Sequence, residues 1–412
     1  MRLEEGLRKR EEHDDGKDRR HSAVRRGKSE WISVLHGTST KYDQWVKLIA
    51  VGSLSLWLIF ALIYWHTSVA PLKSTGAKVS NYNAHPLSID PFPQETNFIA
   101  FGDFGTGDES QRKVAMALEN FTSTMDPPPA FVLSTGDQIY DHGIQSVDDP
   151  LLLTNFEHMY KHNKLQVPWY VTIGNHDCEG SVDAMLQYAE KQESLWYLPR
   201  RYYSIDRPVA PKTILRLVVI DACDLVCGRE PRDFRCTEHM IEQSSAKTRQ
   251  LQYDWIEETL SADKPAGVEQ MWTIVMGHWG VYSFAGNADT PELINALDPL
   301  LKTYKVHAYF NGHDHSMQHV RKVNTDGSVR NYFTSGAGGY RIHDLQPNAR
   351  ANPDLVHAAL VHGFMFIHMT RTFFRVHFVD ETGKILYTTE VRNHLSSTLQ
   401  LKTPQNVDTT LR

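Results

Sequence analysis

The chain predicts an α/β fold: a four-layer αββα sandwich of two mixed sheets flanked by helices, behind an N-terminal transmembrane helix. Three observations carry that prediction. From Asn97 onward, short apolar runs of strand type alternate with stretches of helical spacing, and after Gly312 hairpin-like strand patterns take over. Residues Leu48 to Trp65 form an uninterrupted run of 18 uncharged, mostly apolar positions. A 412-residue chain that is 41% hydrophobic and 10% aromatic can fill a large core, which excludes wholesale disorder.

The N-terminal elements follow from charge and hydropathy. Residues 1–47 carry 12 Lys/Arg against 9 Asp/Glu, alternating closely in the first 30, and read as a disordered cytosolic tail. As a helix, residues 48–65 span about 27 Å, close to the hydrocarbon thickness. A buried core helix would show a polar stripe, and Pro71 after the small-residue site Ser68-Val69-Ala70 disfavours signal cleavage, so the segment reads as a signal anchor. The basic excess before it places the N-terminus in the cytosol. The expected product is a single-pass type II membrane protein whose main part faces an endolysosomal or secretory lumen or the exterior. Residues 66–95, with Pro71, Pro86, Pro91 and Pro93, read as an extended stalk.

The cysteines agree with that topology. Cys178, Cys223, Cys227 and Cys236 all follow the span, as disulfides in an oxidising compartment require. Their pairing stays open among three possibilities. The sequon Asn120-Phe121-Thr122 lies on the same side and makes Asn120 a candidate glycosylation site. The net charge is −6, and the part beyond the tail is more acidic still, which excludes a nucleic-acid-binding surface.

Residues 96–395 form the expected catalytic domain, with 396–412 as a C-terminal tail. Strands are predicted at Phe98–Phe101, Ala130–Ser134, Trp169–Ile173, Leu215–Ile220, Trp272–Met276 and His307–Phe310. Helices are predicted at Gln111–Phe121, Asp183–Ser194, Ala246–Leu260 and Glu292–Tyr304. Later strands are expected at Tyr332–Thr334, Phe364–Met369, Phe373–Val379 and Ile385–Val391. His357, His362, His368 and His377 alternate with hydrophobic residues there and read as structural.

Five polar clusters each close one of the first strands or a neighbouring apolar run. They are Gly102-Asp103-Phe104-Gly105, Gly136-Asp137-Gln138-Ile139-Tyr140, Gly174-Asn175-His176-Asp177, Gly277-His278 and Gly312-His313-Asp314-His315. Open α/β sheets gather ligands at the C-terminal ends of their strands. The clusters supply two carboxylates, a phenol, an amide oxygen and three imidazoles, enough for two adjacent metal ions. Asp137 is the natural bridge, because each carboxylate oxygen can take one ion. Asp103 and Tyr140 are hard anionic donors suited to a trivalent ion, and His278 and His313 suit a divalent one. An extended segment would turn the rings of His313 and His315 toward separate ions. Two ions about 3.5–4 Å apart supply a hydroxide at low pH and stabilise an in-line phosphoryl transition state. His176 is then the candidate acid for the leaving group, beside Asn175.

These motifs resemble the purple acid phosphatases, and within them the small tartrate-resistant branch of the calcineurin-like metallophosphatases. Further stretches share the likeness: Val167-Pro168-Trp169-Tyr170-Val171, Gln318 behind His315, and Ser335-Gly336-Ala337-Gly338. The resemblance covers about residues 96–392. It implies iron(III) held by Asp103, Asp137, Tyr140 and His315, and a divalent ion (iron(II), zinc or manganese) held by Asp137, Asn175, His278 and His313. It also implies a tyrosinate-to-iron colour and hydrolysis of phosphomonoesters at acidic pH, with small phosphomonoesters and phosphoproteins as the candidate substrates. Two departures stand out. Asn287 occupies the place of a second histidine, and the region around Glu292 lacks a cysteine that would brace the loop Asp224–Gln243. A phosphodiesterase or nucleotide hydrolase on the same fold, and a catalytically inactive surface protein, are the alternatives.

Overall fold

The structure is a computed structural model that describes residues 92–229 and 235–393. The predicted tail, membrane span and most of the stalk lie outside the described residues, as does the C-terminal tail. Among the described residues no helix is long and apolar enough to cross a membrane.

Two seven-stranded mixed sheets make up the fold. In the first, β1 (Thr96–Phe101), β2 (Pro129–Ser134), β3 (Trp169–Val171) and β4 (Trp196–Tyr197) run parallel. Beyond β1 it continues antiparallel through β12 (Gly363–Met369), β13 (Phe373–Asp380) and β14 (Ile385–Arg392). The second sheet has a parallel centre of β6 (Thr213–Val219), β7 (Gln270–Met276), β8 (Ala308–Asn311) and β10 (Val329–Ser335). Antiparallel β5 (Tyr203–Ala210) closes one side, and β9 (Met317–Val323) with β11 (Leu355–Ala359) closes the other.

Every residue of β1 and of β6 is buried, so both faces of each sheet are covered at its centre. That is why these strands read as continuous apolar runs rather than alternating ones. One continuous hydrophobic core joins residues of both sheets. Within it, Phe101, Phe104, Tyr160 and Trp169 pack together in edge-to-face and tilted pairs, with centroids 4.9–6.0 Å apart. The helix Glu109–Ser123 begins where Asp108 accepts from the N–H groups of Ser110 and Gln111.

The structure corrects one expected helix, adds strands that the sequence did not signal, and pairs the cysteines. The single helix expected over Glu292–Tyr304 is two, Pro291–Ala296 and Asp298–Thr303, because Pro299 has no N–H to continue the first. Strand β5 escaped the apolar-run criterion: its sequence YSIDRPVA is polar and contains Pro208, which an edge strand tolerates. Strands β4, β9 and β11 also lack a continuous apolar signal. The open cysteine pairing resolves as Cys178–Cys223 and Cys227–Cys236, with no free cysteine among the described residues.

His319 in β9 is buried between the Tyr387 hydroxyl (2.9 Å) and Asn331 Oδ1 (3.1 Å) and stacks on Phe333. Burial lowers it to about 4, with the Arg321 charge adding to the effect. An unfolded histidine titrates near 6.5, so the unfolded chain binds the extra proton first on acidification. The stability this site contributes is therefore complete above about pH 6.5 and lost as the pH falls toward 4. His319→Gln should flatten the acid limb of denaturant midpoint against pH in that window; an unchanged slope would contradict this assignment.

Candidate metal centre

All five polar clusters follow strands, and the two sheets contribute different chemistry. The loops after β1, β2 and β3 carry Asp103, Asp137 with Tyr140, and Asn175, all oxygen donors. The loops after β7 and β8 carry His278, His313 and His315, all nitrogen donors. The site forms where these two sets of loops meet.

The backbone there is forced into unusual shapes. Asp103, Asp137 and His313 adopt left-handed conformations with φ of 58°, 52° and 67°. Such conformations cost a non-glycine residue roughly 1–3 kcal/mol each and persist only where surrounding contacts over-determine them. Glycine permits the close approach. A Cβ on Gly174 would lie 2.0 Å from Asp137 Oδ1, and one on Gly136, itself at φ 104°, would lie 2.2 Å from His278 Nδ1.

The seven predicted donors form one unbroken run. His315 Nε2 lies 3.5 Å from Asp103 Oδ1, which lies 3.3 Å from the Tyr140 hydroxyl. That hydroxyl is 3.0 Å from Asp137 Oδ2, which is 3.2 Å from His278 Nε2. His278 Nε2 is 3.1 Å from Asn175 Oδ1, and that oxygen is 2.8 Å from His313 Nδ1. Asp137 stands at the centre, with three donors on either side. Donor atoms about 3 Å apart are the spacing that neighbouring ligands adopt when each bonds an ion at about 2.0–2.2 Å. Asp103, Asp137 and His278 offer ligand atoms within 4.8 Å of one another, close enough to hold a metal ion. The residues present therefore fit a pair of cations.

Electrostatics supports the same fit. Burial raises Asp103 well above the carboxylate range, and the neighbouring Asp137 charge adds to this. Burial alone would raise Asp137 too, but the His278 imidazole outweighs it and holds Asp137 low. Conversely, burial pulls His278 down while the Asp137 and Asp103 carboxylates lift it to about 9. Burial lowers His313 to about 3, helped by His278, and His315 to about 4, helped by His343, so both rings present lone pairs. Burial and the two carboxylates push Tyr140 far above its ordinary value, and its hydroxyl donates to Asp137. Protons thus occupy the places that cations would take.

The histidines are aimed by their second nitrogens. His278 Nδ1 donates to Thr135 O (2.8 Å) and His315 Nδ1 to Arg341 O (2.8 Å), leaving both Nε2 atoms facing the cluster. His313 instead turns Nδ1 inward and stacks on Trp279, centroids 4.6 Å apart. The His313–His315 segment is not extended. The chain bends through a left-handed residue at His313, and the bend sends the two rings to different donors.

His176 N donates to Asp137 Oδ1 (2.9 Å), and its partly exposed ring lies against Tyr140 with Nδ1 on Asp141 O. Asn287 is not a spare acid: its Nδ2 donates to His313 O (2.7 Å) and its N to Asp314 Oδ1 (2.8 Å). Near the missing cysteine, Arg235 pairs with Glu292 at 2.6 Å and its guanidinium lies over Trp279, beside the Cys227–Cys236 bridge. Asn120 is exposed on the helix Glu109–Ser123, while Thr122 is buried and donates to Leu118 O.

A profile of the calcineurin-like phosphoesterases matches residues 96–317. The chain belongs to that family. Purple acid phosphatase 4 of Arabidopsis thaliana is 29% identical over 372 residues, covering 87% of this chain and 98% of that protein. Tartrate-resistant acid phosphatase type 5 of Oryctolagus cuniculus is 30% identical over 311 residues, covering 71% of this chain and 90% of the relative. Within the calcineurin-like phosphoesterases the chain therefore stands with the purple acid phosphatases, whose reaction is hydrolysis of phosphoric monoesters. Among solved structures, GAP50, the anchor in the inner membrane complex of Plasmodium, shares the fold with a TM-score of 0.61 at 20% identity, over 73% of this chain and 89% of that one.

Sequence reasoning missed the residues that hold the donors in place. Asp177, the last residue of the third polar cluster, accepts from Asp137 N (2.9 Å), Gln138 N (3.0 Å), Gln138 Nε2 (2.8 Å) and Gly174 N (2.8 Å). It ties the second loop to the third. The clue was present, since a buried carboxylate beside three backbone turns needs several N–H partners. Asp177→Asn removes an acceptor and sets an amide N–H₂ against those donors, at a cost of about 1–3 kcal/mol. A urea denaturation series should record that loss, and a midpoint equal to wild type would refute the clamp.

Proposed function

We propose that this chain is a binuclear-metal acid phosphatase hydrolysing phosphomonoesters, built on a four-layer αββα sandwich within residues 96–395. The observation that carries the reading is the unbroken run of seven donors with Asp137 at its centre. Asp103, Tyr140, His315 and Asp137 would hold iron(III); Asp137, Asn175, His278 and His313 would hold iron(II), zinc or manganese. Bound there, the pair supplies Lewis acidity toward phosphate oxygens and a hydroxide nucleophile for phosphorus at acidic pH. His176, fixed through Nδ1 by Asp141 O, keeps Nε2 available to protonate the leaving oxygen. Asp137 takes no proton in turnover; its Oδ1, held by His176 N, keeps both halves of the site in register.

The reading extends to placement. The apolar run 48–65 supports a type II anchor, and two disulfides support a lumenal or extracellular catalytic domain. Exposure of Asn120 supports its glycosylation in that compartment. Substrates are small phosphomonoesters or phosphoproteins, with no role for nucleic acid.

Two variants test it on the full chain purified in detergent. Tyr140→Phe should abolish the visible tyrosinate band; a surviving band refutes the phenolate assignment. His176→Ala should lower kcat on p-nitrophenyl phosphate by roughly 10²–10⁴-fold while metal content stays near wild type. Loss of metal in that variant would make His176 structural. Preference for diesters over p-nitrophenyl phosphate would favour the phosphodiesterase alternative, and a metal-free, inactive wild type the surface-protein one.

A further inference from the structure

The run Ser335-Gly336-Ala337-Gly338 takes no part in the donor set, yet it is threaded along the first metal loop. Gly102 N donates to Ser335 O at 2.9 Å, Gly338 N donates to Gly102 O at 3.0 Å, and Tyr340 N donates to Asp103 O at 2.9 Å. A Cβ on Gly338 would lie 2.4 Å from Gly102 O, so only glycine lets the two backbones run this close. The outcome of that threading is the position of Tyr340.

Tyr340 lies flat on the ring of Tyr140, with centroids 4.1 Å apart and planes 15° from parallel. Its hydroxyl donates to Asp141 Oδ1 (3.3 Å), the residue whose carbonyl fixes His176. Its carbonyl accepts from His362 Nε2 (3.0 Å), and its ring meets the His315 ring at 5.0 Å and 70°. The Tyr340 ring therefore touches Tyr140 and His315, and the residue is anchored by its backbone N–H to Asp103 O. These are the three donors that, with Asp137, make up one half of the site.

We infer that Tyr340 is a positioning residue for the Tyr140 phenol. This rests on the reading of Tyr140 as an iron ligand. The physical argument is steric and electronic. A phenol held by its Oη alone can pivot about χ1 and χ2, and a ring laid along one face removes that freedom and keeps water from the face it covers. A stacked π face also changes the energy of the phenolate electrons that give the tyrosinate band. Residues that orient a metal ligand from outside the donor set typically alter metal affinity by roughly 10–100-fold when changed.

The test compares the full chain with Tyr340→Leu and Tyr340→Phe, each supplied with iron(III) during purification. Two quantities are read: the visible spectrum and the iron retained against a graded chelator. Tyr340→Leu should shift and weaken the band and lower iron affinity by roughly 10–100-fold. Tyr340→Phe keeps the stack and should keep both near wild type, although it loses the bond to Asp141. A Leu variant with the wild-type band and affinity overturns the inference while leaving the metal reading intact. A wild-type chain that takes up no iron overturns both. If Tyr340→Leu does not fold, Tyr340→Trp decides: its larger stacked ring should move the band, and an unmoved band overturns the inference.

Discussion

Everything at the centre of this molecule depends on placing two carboxylates and a phenol in a dry pocket within hydrogen-bond reach of one another. Asp103 and Asp137 are buried, and both lie against the Tyr140 hydroxyl. Like charges so close and so far from water repel strongly, and the pocket balances them with protons, with the His278 imidazolium and with the N–H groups of His176 and His313. A fold built for stability alone would not keep such a set, nor hold both carboxylate residues in left-handed backbone conformations. Cations would resolve the conflict. They would replace the shared protons and attract the same oxygens that otherwise repel one another.

The two-sheet architecture makes that pocket possible. Oxygen donors come from the loops after β1, β2 and β3, and nitrogen donors from the loops after β7 and β8, so neither sheet holds a complete set. Bringing the two sheets together in one core is therefore also what completes the site. Around the donors lies a second ring of contacts. Asp177 joins two loops of the first sheet, Trp279 and Asn287 steady His313, and Tyr340 covers Tyr140. The bridge Cys178–Cys223 fixes the helix Asn175–Glu179, which carries Asn175 and His176, to the helix Ala222–Val226. Each of these contacts restricts a donor that would otherwise be free to turn away.

Much of this was legible in the sequence, and the reasons are physical. A buried parallel strand is a continuous apolar run, and a polar cluster with glycine directly after it marks the end where ligands gather. That signal pointed to the seven side chains that the structure brings together. It failed where a strand lies at an edge: β5 mixes Ser204, Asp206, Arg207 and Pro208 with its apolar residues and gives no run to detect. It also failed for the bend at His313, because the φ of a single non-glycine residue is set by its tertiary partners. The supporting residues were the least visible. Tyr340 lies 200 positions from Tyr140, and only the packed fold reveals that the two rings are stacked.

The central claim is that two cations share Asp137. Anomalous diffraction from crystals of the full chain grown with iron, recorded above the iron edge, addresses it directly. The account predicts two separate peaks, one bounded by Asp103, Tyr140 and His315 and the other by Asn175, His278 and His313, with Asp137 between them. A single peak, or iron bound anywhere other than among these seven side chains, would contradict it.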